Sequence, residues 1–215
     1  MLAPEFSHIR TWVFDLDNTL YPPETRLFDQ IEVRMTRWVM RELSVDAAEA
    51  NRLRKVYWHE HGTTLAGLMT NHGIDPEAFM TDVHDIDFTV IAPDPDLRKR
   101  IDMLPGRKII YTNGSAPYAG DVLEARGLEN LFDAIYGVEH AGYRPKPERA
   151  AFDRVFAIEG LAPDAAAMFE DEPRNLEAPK ALGLKTIHVA PAPAPADYID
   201  HHTDDLSGFL AQFSP

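Results

Sequence analysis

Trp12-Val13-Phe14-Asp15-Leu16-Asp17-Asn18-Thr19-Leu20 decides how the rest of the chain is read. An apolar run from Trp12 to Phe14 meets a carboxylate, and a second carboxylate follows two residues on. A short apolar run closed by a turn signal predicts a buried strand of a parallel sheet, here from Arg10 to Asp15. Strand side chains alternate, so Asp15 and Asp17 start on one side of the backbone. Like charges this close repel, and each loses solvation at a buried strand end. A hard cation such as Mg²⁺ relieves both penalties, because it prefers oxygen ligands. The stretch therefore points to a metal–carboxylate site at the carboxyl end of a strand, where open α/β sheets carry their sites. An Asp-rich turn capping a helix is the plainer alternative.

Residues 1–9 read as a short lead-in to that strand. After it, Tyr21-Pro22-Pro23 breaks regular structure. From Glu24 the period changes. Leu27, Ile31, Met35, Trp38 or Val39, and Leu43 recur at helical spacing and predict an amphipathic helix. Asp46 with Glu49 has the form of a capping box for a second helix, running to about His61 and stopped by Gly62. Thr63 or Thr64 caps a third, with Gly73 past its end. Asp75-Pro76 reads as N-cap then N1 of a fourth, through Val83. Residues 21–90 thus form an inserted all-helical block, and residues 1–20 and 91–215 form the core.

Downstream, Asp94-Pro95 opens a helix, and Lys108 to Thr112 reads as a buried strand. Ser115 caps the next helix, which ends at Gly127. Ala134 to Val138 is a short strand, and Phe152, Val155 and Phe156 mark a helix. Ala165 to Phe169 is another strand, ending in Glu170-Asp171. Pro173 to Leu182 reads as a helix, and Lys185 to Ala190 as a strand. Strands alternating with helices imply βαβ units, so the expected fold is α/β with a Rossmann-like three-layer core and a parallel central sheet. Pro191 to Ala196 alternates Pro and Ala and reads as a surface loop. Asp204-Asp205 caps a last short helix.

Composition narrows the function. A formal net charge of -14 argues against nucleic acid as a partner, because backbone binding needs clustered Lys and Arg. Cysteine is absent, which excludes disulfides and Cys-based chemistry and fits a cytoplasmic location. No apolar stretch is long enough for a membrane span, no secretory leader is visible, and no fixed-period repeat is present. The paired histidines His59/His61 and His201/His202 are assigned no metal, and Arg98-Lys99-Arg100 reads as a solvated helix face.

Each candidate functional group falls just after a strand: Asp15 and Asp17, then Thr112 and Asn113, then Lys146 in a Pro-bracketed loop, then Glu170 and Asp171. Carboxyl ends of parallel strands share one sheet edge, so these groups are expected to converge. The order Asp15-Leu-Asp17-Asn-Thr-Leu, Thr112-Asn113, Lys146 between prolines, and Glu170-Asp171 followed by Asn175 resembles the four motifs of the haloacid dehalogenase-like (HAD) hydrolase superfamily. The helical insertion is similar to that superfamily's small all-helical, C1-type cap. The wording of residues 12–22, of His61 to Leu68 and of Phe169 to Leu176 is similar to the pyrimidine 5′-nucleotidase branch.

The resemblance implies a Mg²⁺-dependent phosphomonoester hydrolase working through an aspartyl-phosphate. Asp15 is then the nucleophile and Asp17 the general acid and base. Mg²⁺ is held by Asp15, the backbone carbonyl of Asp17, and Asp171, with Glu170 acting on it through water or directly and Asn175 behind them. Thr112, Asn113 and Lys146 hold the phosphoryl group. Asp17 argues for phosphoryl chemistry, because the dehalogenases that named the superfamily lack that carboxylate. Lys55, the one lysine of the insertion, reads as solvated rather than as a Schiff-base amine. Candidate specificity residues are Tyr21, Arg26, His61, Thr63, Thr64 and Asn71. The expected substrate is a small phosphorylated metabolite, foremost a pyrimidine nucleoside 5′-monophosphate. A sugar phosphate is the enzymatic alternative, and a phosphoester-binding regulatory protein the non-enzymatic one.

Overall fold

A computed structural model describes residues 4–213; residues 1–3 and 214–215, the outermost of the expected core segments, lie outside the described residues. The core begins with β1 (Thr11–Phe14). Four helices follow: α1 (Leu27–Leu43), α2 (Ala47–His61), α3 (Thr64–His72) and α4 (Pro76–Val83). Then come α5 (Pro95–Asp102), β2 (Arg107–Tyr111), α6 (Ala116–Arg126) and β3 (Ala134–Tyr136). The chain continues through α7 (Arg149–Glu159), β4 (Ala166–Glu170), α8 (Glu177–Leu182) and β5 (Lys185–Val189). It closes with β6 (His201–Thr203) and α9 (Leu206–Ala211).

The six strands form one parallel sheet in the order β3-β2-β1-β4-β5-β6. The strand period sorts β1 onto two cores. Trp12 and Phe14 face the side covered by α5, α6 and α9, and Val13 faces α7 and α8. The result is the expected Rossmann-like α/β layering. Strand order reverses at β1, which lies between β2 and β4. A crevice opens outside the strand ends at such a switch point. Register decides what lines it: Phe14 is level with Ile110 and Phe169, so the residues that follow each of them reach one edge together. The Asp15 N–H donates to Phe169 O at 2.9 Å and carries the ladder one residue further.

In the helical segment Asp46, Thr63 and Asp75 cap α2, α3 and α4 through side-chain oxygens, as expected. The capping box is only half made, since the Glu49 carboxylate turns to Arg52 instead. Gly67 permits α2 and α3 to touch: a Cβ there would lie 2.3 Å from Tyr57 Cβ. Among the described residues no helix is long and apolar enough to cross a membrane.

Three expectations need correction. The lead-in, placed with the core as expected, is more than a lead-in, because Pro4–Phe6 forms a 3₁₀ turn and Phe6 and Ile9 are fully buried. Pro173–Leu176 is a single 3₁₀ turn and α8 only begins at Glu177, which places Pro179 in the first helical turn, where its missing N–H costs nothing. The tail after the Pro-Ala loop adds a sixth strand, β6, paired with β5.

Candidate active site

Four loops at the carboxyl edge converge as the motif order predicts. Lys146 leaves the loop after β3 at a cis Lys146-Pro147 bond and runs into the sheet edge. Its ammonium donates to Asp15 Oδ1 and Glu170 Oε2, each at 2.6 Å, and to the Tyr111 carbonyl at 3.1 Å. The lysine is 1% exposed, so these three acceptors replace its water. Asn113 holds the loop that carries it: Asn113 Nδ2 donates to Lys146 O at 3.1 Å, and the Lys146 N–H donates to Asn113 Oδ1 at 2.8 Å. Thr112 Oγ1 accepts the Gly114 N–H at 2.9 Å, which leaves the hydroxyl proton to donate.

Past β1 the chain turns sharply, with Asn18 in the left-handed region at φ 56°. Thr19 Oγ1 donates back to Asp15 Oδ2 at 3.3 Å, and Asn18 Nδ2 to Asp171 Oδ2 at 3.4 Å. The turn separates the two aspartates. Asp15 faces Lys146, whereas Asp17 Oδ1 accepts hydroxyl protons from Tyr21 and from Tyr118 of α6, both at 2.6 Å. The His84 ring, just past α4, stacks on Tyr118 at 4.1 Å and 9°. Burial raises the Asp17 carboxyl above its ordinary range, and the two hydroxyls pull it partly back. Burial and the facing carboxylate also raise both tyrosines, so both remain donors.

Asp15, Glu170 and Asp171 can bring a carboxylate oxygen each to within 4.8 Å of one another. Burial, then Glu170, raises Asp15 to about 7, and burial, then Glu170 and Asp15, raises Asp171 to about 10. Burial pushes the Lys146 ammonium down, but Asp15 and Glu170 outweigh it and hold the group above its ordinary range. One ammonium among three clustered carboxyl groups, two of them buried, leaves mutual repulsion that a divalent cation would relieve. Asn175 Oδ1 is buried without a hydrogen-bond partner and lies on the same wall. An all-oxygen set of this kind fits a hard cation, so Asp15, Glu170 and Asp171 could hold one. Glu170, expected to act on the metal through water or directly, is one of the three clustered carboxylates. The Asp17 side chain is turned to the tyrosines, which is compatible with the backbone-carbonyl role expected of it.

A cavity of about 350 Å³ opens onto these groups. Asp15, Asp17, Thr112, Asn113, Lys146, Glu170, Asp171 and Asn175 all line it, and so does Thr63 among the candidate specificity residues. Tyr21 stands behind Asp17. The other specificity candidates are placed elsewhere. Arg26 closes a 3₁₀ turn in the left-handed region, and its 78%-exposed side chain is captured by Asp29 at 2.6 Å. Asn71 donates to Gly67 O at 2.9 Å and meets His61 Nε2 at 3.2 Å, a local α3–α2 contact outside the cavity. Thr64 is buried and donates to Arg54 O.

Sequence reasoning missed Tyr118, Phe28, Glu32, Trp58 and Arg174. The last four line the cavity from the helical segment and from the turn after β4. Arg174 stacks its guanidinium 3.7 Å from the Trp58 ring centre and donates to Trp58 O and Gly62 O. The one available signal was the quoted run Phe169 to Leu176, which contains Arg174.

A family model described as haloacid dehalogenase-like hydrolase matches residues 9–183. Phosphate metabolism protein 8 of Saccharomyces cerevisiae is 27% identical over 201 residues, which is 84% of this chain and 61% of that protein's length. The HAD-hydrolase YfnB from Bacillus subtilis, solved bound to magnesium, superposes with a TM-score of 0.62 at 17% identity, covering 96% of this chain and 99% of that one. The L-2-haloacid dehalogenase from Xanthobacter autotrophicus, with chloropropionic acid covalently bound, gives a TM-score of 0.59 at 17% identity over 94% of this chain and 97% of that one. At such identities the two structures bear on the fold alone.

Proposed function

The chain belongs to the haloacid dehalogenase-like hydrolase family, and from that premise we propose that it is a Mg²⁺-dependent phosphomonoester hydrolase acting on nucleoside 5′-monophosphates, foremost pyrimidine ones. The observation that carries this reading is the pairing of two differently held aspartates at one sheet edge. Asp15 lies against a buried ammonium, and Asp17 is held apart by two tyrosine hydroxyls. Displacing a halide needs no proton on the leaving group, but displacing an alkoxide does. A second carboxyl beside the nucleophile, raised by burial and so suited to exchange a proton with the leaving oxygen, therefore supports phosphoryl over halide chemistry.

In the first step an Asp15 carboxylate oxygen bonds to phosphorus. The bond from phosphorus to the ester oxygen breaks, and that oxygen takes a proton from Asp17. In the second, the Asp17 carboxylate takes a proton from water, the water oxygen attacks phosphorus, and phosphate leaves Asp15. The Lys146 ammonium and the Thr112 hydroxyl, which line the same cavity as Asp15, would meet the negative charge that gathers on the phosphoryl oxygens. Mg²⁺, held by Asp15, Glu170 or Asp171 and the Asp17 carbonyl, would supply the charge that permits a dianionic phosphate to approach a carboxylate. The helical segment, as a cap, would shield the site from water and contact the rest of the substrate. Similarity of residues 12–22 and 169–176 to the pyrimidine 5′-nucleotidase branch supports the nucleotide preference.

The test is phosphate release from UMP, CMP, their deoxy forms and a set of sugar phosphates, with Mg²⁺ and then with chelator, against an Asp15→Asn blank. Metal-dependent release strongest on the nucleotides is expected. Strongest release on sugar phosphates would retain the mechanism and replace the substrate. No release above the blank would favour a phosphoester-binding protein.

A further inference from the structure

The acidic cavity has a neighbour. A second cavity of about 600 Å³ lies within the helical segment, between α1, α2 and the start of α3. Phe28, Glu32 and Trp58 line both, so the two share a wall. The chemistry of the second differs from that of the first, because no buried carboxylate cluster reaches it and its walls combine Phe28, Met35 and Trp58 with the polar groups of Glu32, Asn51, Arg54, Lys55 and Thr64.

Trp58 is the notable wall. It is 45% exposed, unlike Trp12 and Trp38, which are buried. An exposed indole on a helix is usually free to change rotamer, yet here Arg174 from the core covers one ring face at 3.7 Å. A ring pinned on one face offers the other as a rigid stacking surface at low entropic cost. Glu32 sits beside it and is held by Arg54, whose guanidinium reaches Glu32 Oε1 at 3.2 Å. The Arg54 guanidinium is itself fixed by Thr36 Oγ1 at 2.7 Å and Asn51 Oδ1 at 3.1 Å. Lys55, also on the wall, makes no ion pair among the described residues. The cavity therefore offers a fixed flat ring, one held acceptor and one free cationic donor. A planar heterocycle with N–H and C=O groups on its edge matches all three.

We propose that this cavity is the subsite for the leaving group of the substrate, and that it takes the nucleobase of a nucleoside monophosphate by stacking on Trp58, with Glu32 accepting from the base edge. The subsite rests on the phosphomonoesterase reading, because the cavity adjoins the acidic one along Phe28, Glu32 and Trp58, on the side where a phosphate ester's leaving group would extend. It also replaces Arg26 and Asn71, which line neither cavity, with Glu32 and Trp58, which line both.

The experiment compares UMP with ribose 5-phosphate, which has the sugar and phosphate but no base. Steady-state kcat/KM is measured for both on the wild-type protein, Trp58→Ala and Trp58→Phe. Stacking of a base on an aromatic side chain predicts that Trp58→Ala lowers the UMP to ribose 5-phosphate ratio by about 5- to 100-fold, chiefly through KM for UMP, and that Trp58→Phe restores much of it. Because each protein serves as its own control, partial misfolding lowers both substrates and cancels in the ratio. As a second readout, UMP should quench tryptophan fluorescence of the Asp15→Asn protein, and the quench should vanish in Asp15→Asn/Trp58→Phe. A ratio within about twofold of wild type in Trp58→Ala, or a quench that survives Trp58→Phe, overturns the subsite while the hydrolase stands. Absence of turnover of either substrate above the Asp15→Asn blank is a different failure, which overturns the hydrolase reading and the subsite with it.

Discussion

Replacing Lys146 with Met removes an ammonium and keeps an unbranched side chain of similar reach. The wild-type Nζ lies 2.6 Å from both Asp15 Oδ1 and Glu170 Oε2. Lys146 and Glu170 are each 1% exposed and Asp15 is 5% exposed, so bulk water compensates poorly for the lost ammonium. Removing one partner of a buried pair costs about 3–5 kcal/mol, and here two carboxylates lose their partner together, which argues for the upper end. For a chain of this length each kcal/mol moves Tm by about 2–4 °C, so Lys146→Met should melt about 10–20 °C below wild type at pH 7 in chelator. The pH dependence has a definite sign. Asp15 is already raised to about 7 with the ammonium present, and losing that ammonium raises it further. A carboxyl with a folded pKa above its unfolded value binds protons more tightly when folded, so this group's contribution to stability grows as pH falls from 8 towards 5. The lysine's own contribution, from a pKa held above its ordinary value, is fully present throughout that range and changes little. The gap between variant and wild type should therefore narrow on acidification. Circular dichroism melts at pH 8, 7, 6 and 5 measure this directly. Phosphate release should fall by at least about 10²-fold at every pH, as for loss of a transition-state charge partner. A melt within about 3 °C of wild type at pH 7, or a gap that widens as pH falls, would refute the reasoning.

Tyr118→Phe removes one of the two hydroxyls on Asp17. A hydrogen bond to a charged group is worth about 1.5–3 kcal/mol, so kcat on UMP should drop about tenfold or more while KM stays within about twofold. A raised KM at unchanged kcat would instead make Tyr118 a substrate contact. Gly67→Ala places a methyl 2.3 Å from Tyr57 Cβ and Cγ and forces α2 from α3. Overpacking of about 1–3 kcal/mol should lower Tm by roughly 3–10 °C, and an unchanged melt would show that the two helices are not in contact as described.

How far the sequence could be read depended on whether a feature was local. Strand ends at Asp15, Thr112 and Glu170 were legible because an apolar run stops there at a polar group, and a parallel sheet brings such stops to one edge. Helix caps at Asp46, Thr63, Asp75 and Ser115 were legible because a cap bonds within three residues. β6 was not. Its three residues, His201, His202 and Thr203, carry no apolar alternation, and it exists because β5 offers an open edge and Asp200 accepts from Thr186 beside it. Tyr118 was invisible because its acceptor is 101 residues away, and Trp58 because helical spacing places it on a solvent face. The position of Arg26 was not legible either: a left-handed turn and Asp29 direct its side chain outward, away from the cavity.

The grip of Arg174 on the end of α2 has a consequence for how this architecture can be altered. The guanidinium covers Trp58 and binds the carbonyls of Trp58 and Gly62, and Gly62 packs so closely on the Lys146 loop that a Cβ there would lie 3.0 Å from Pro145 Cγ. Two core loops thus hold the same five-residue stretch, one from each side. The helical segment is therefore not an interchangeable module. A segment transplanted from a relative would have to bring its own aromatic residue and glycine into register with Arg174 and Pro145. Without them, the exchange would disturb the placement of the ammonium on Asp15 before any substrate arrived. Chimaeras that move residues 58–62 together with both loops are the ones that should keep the catalytic edge intact.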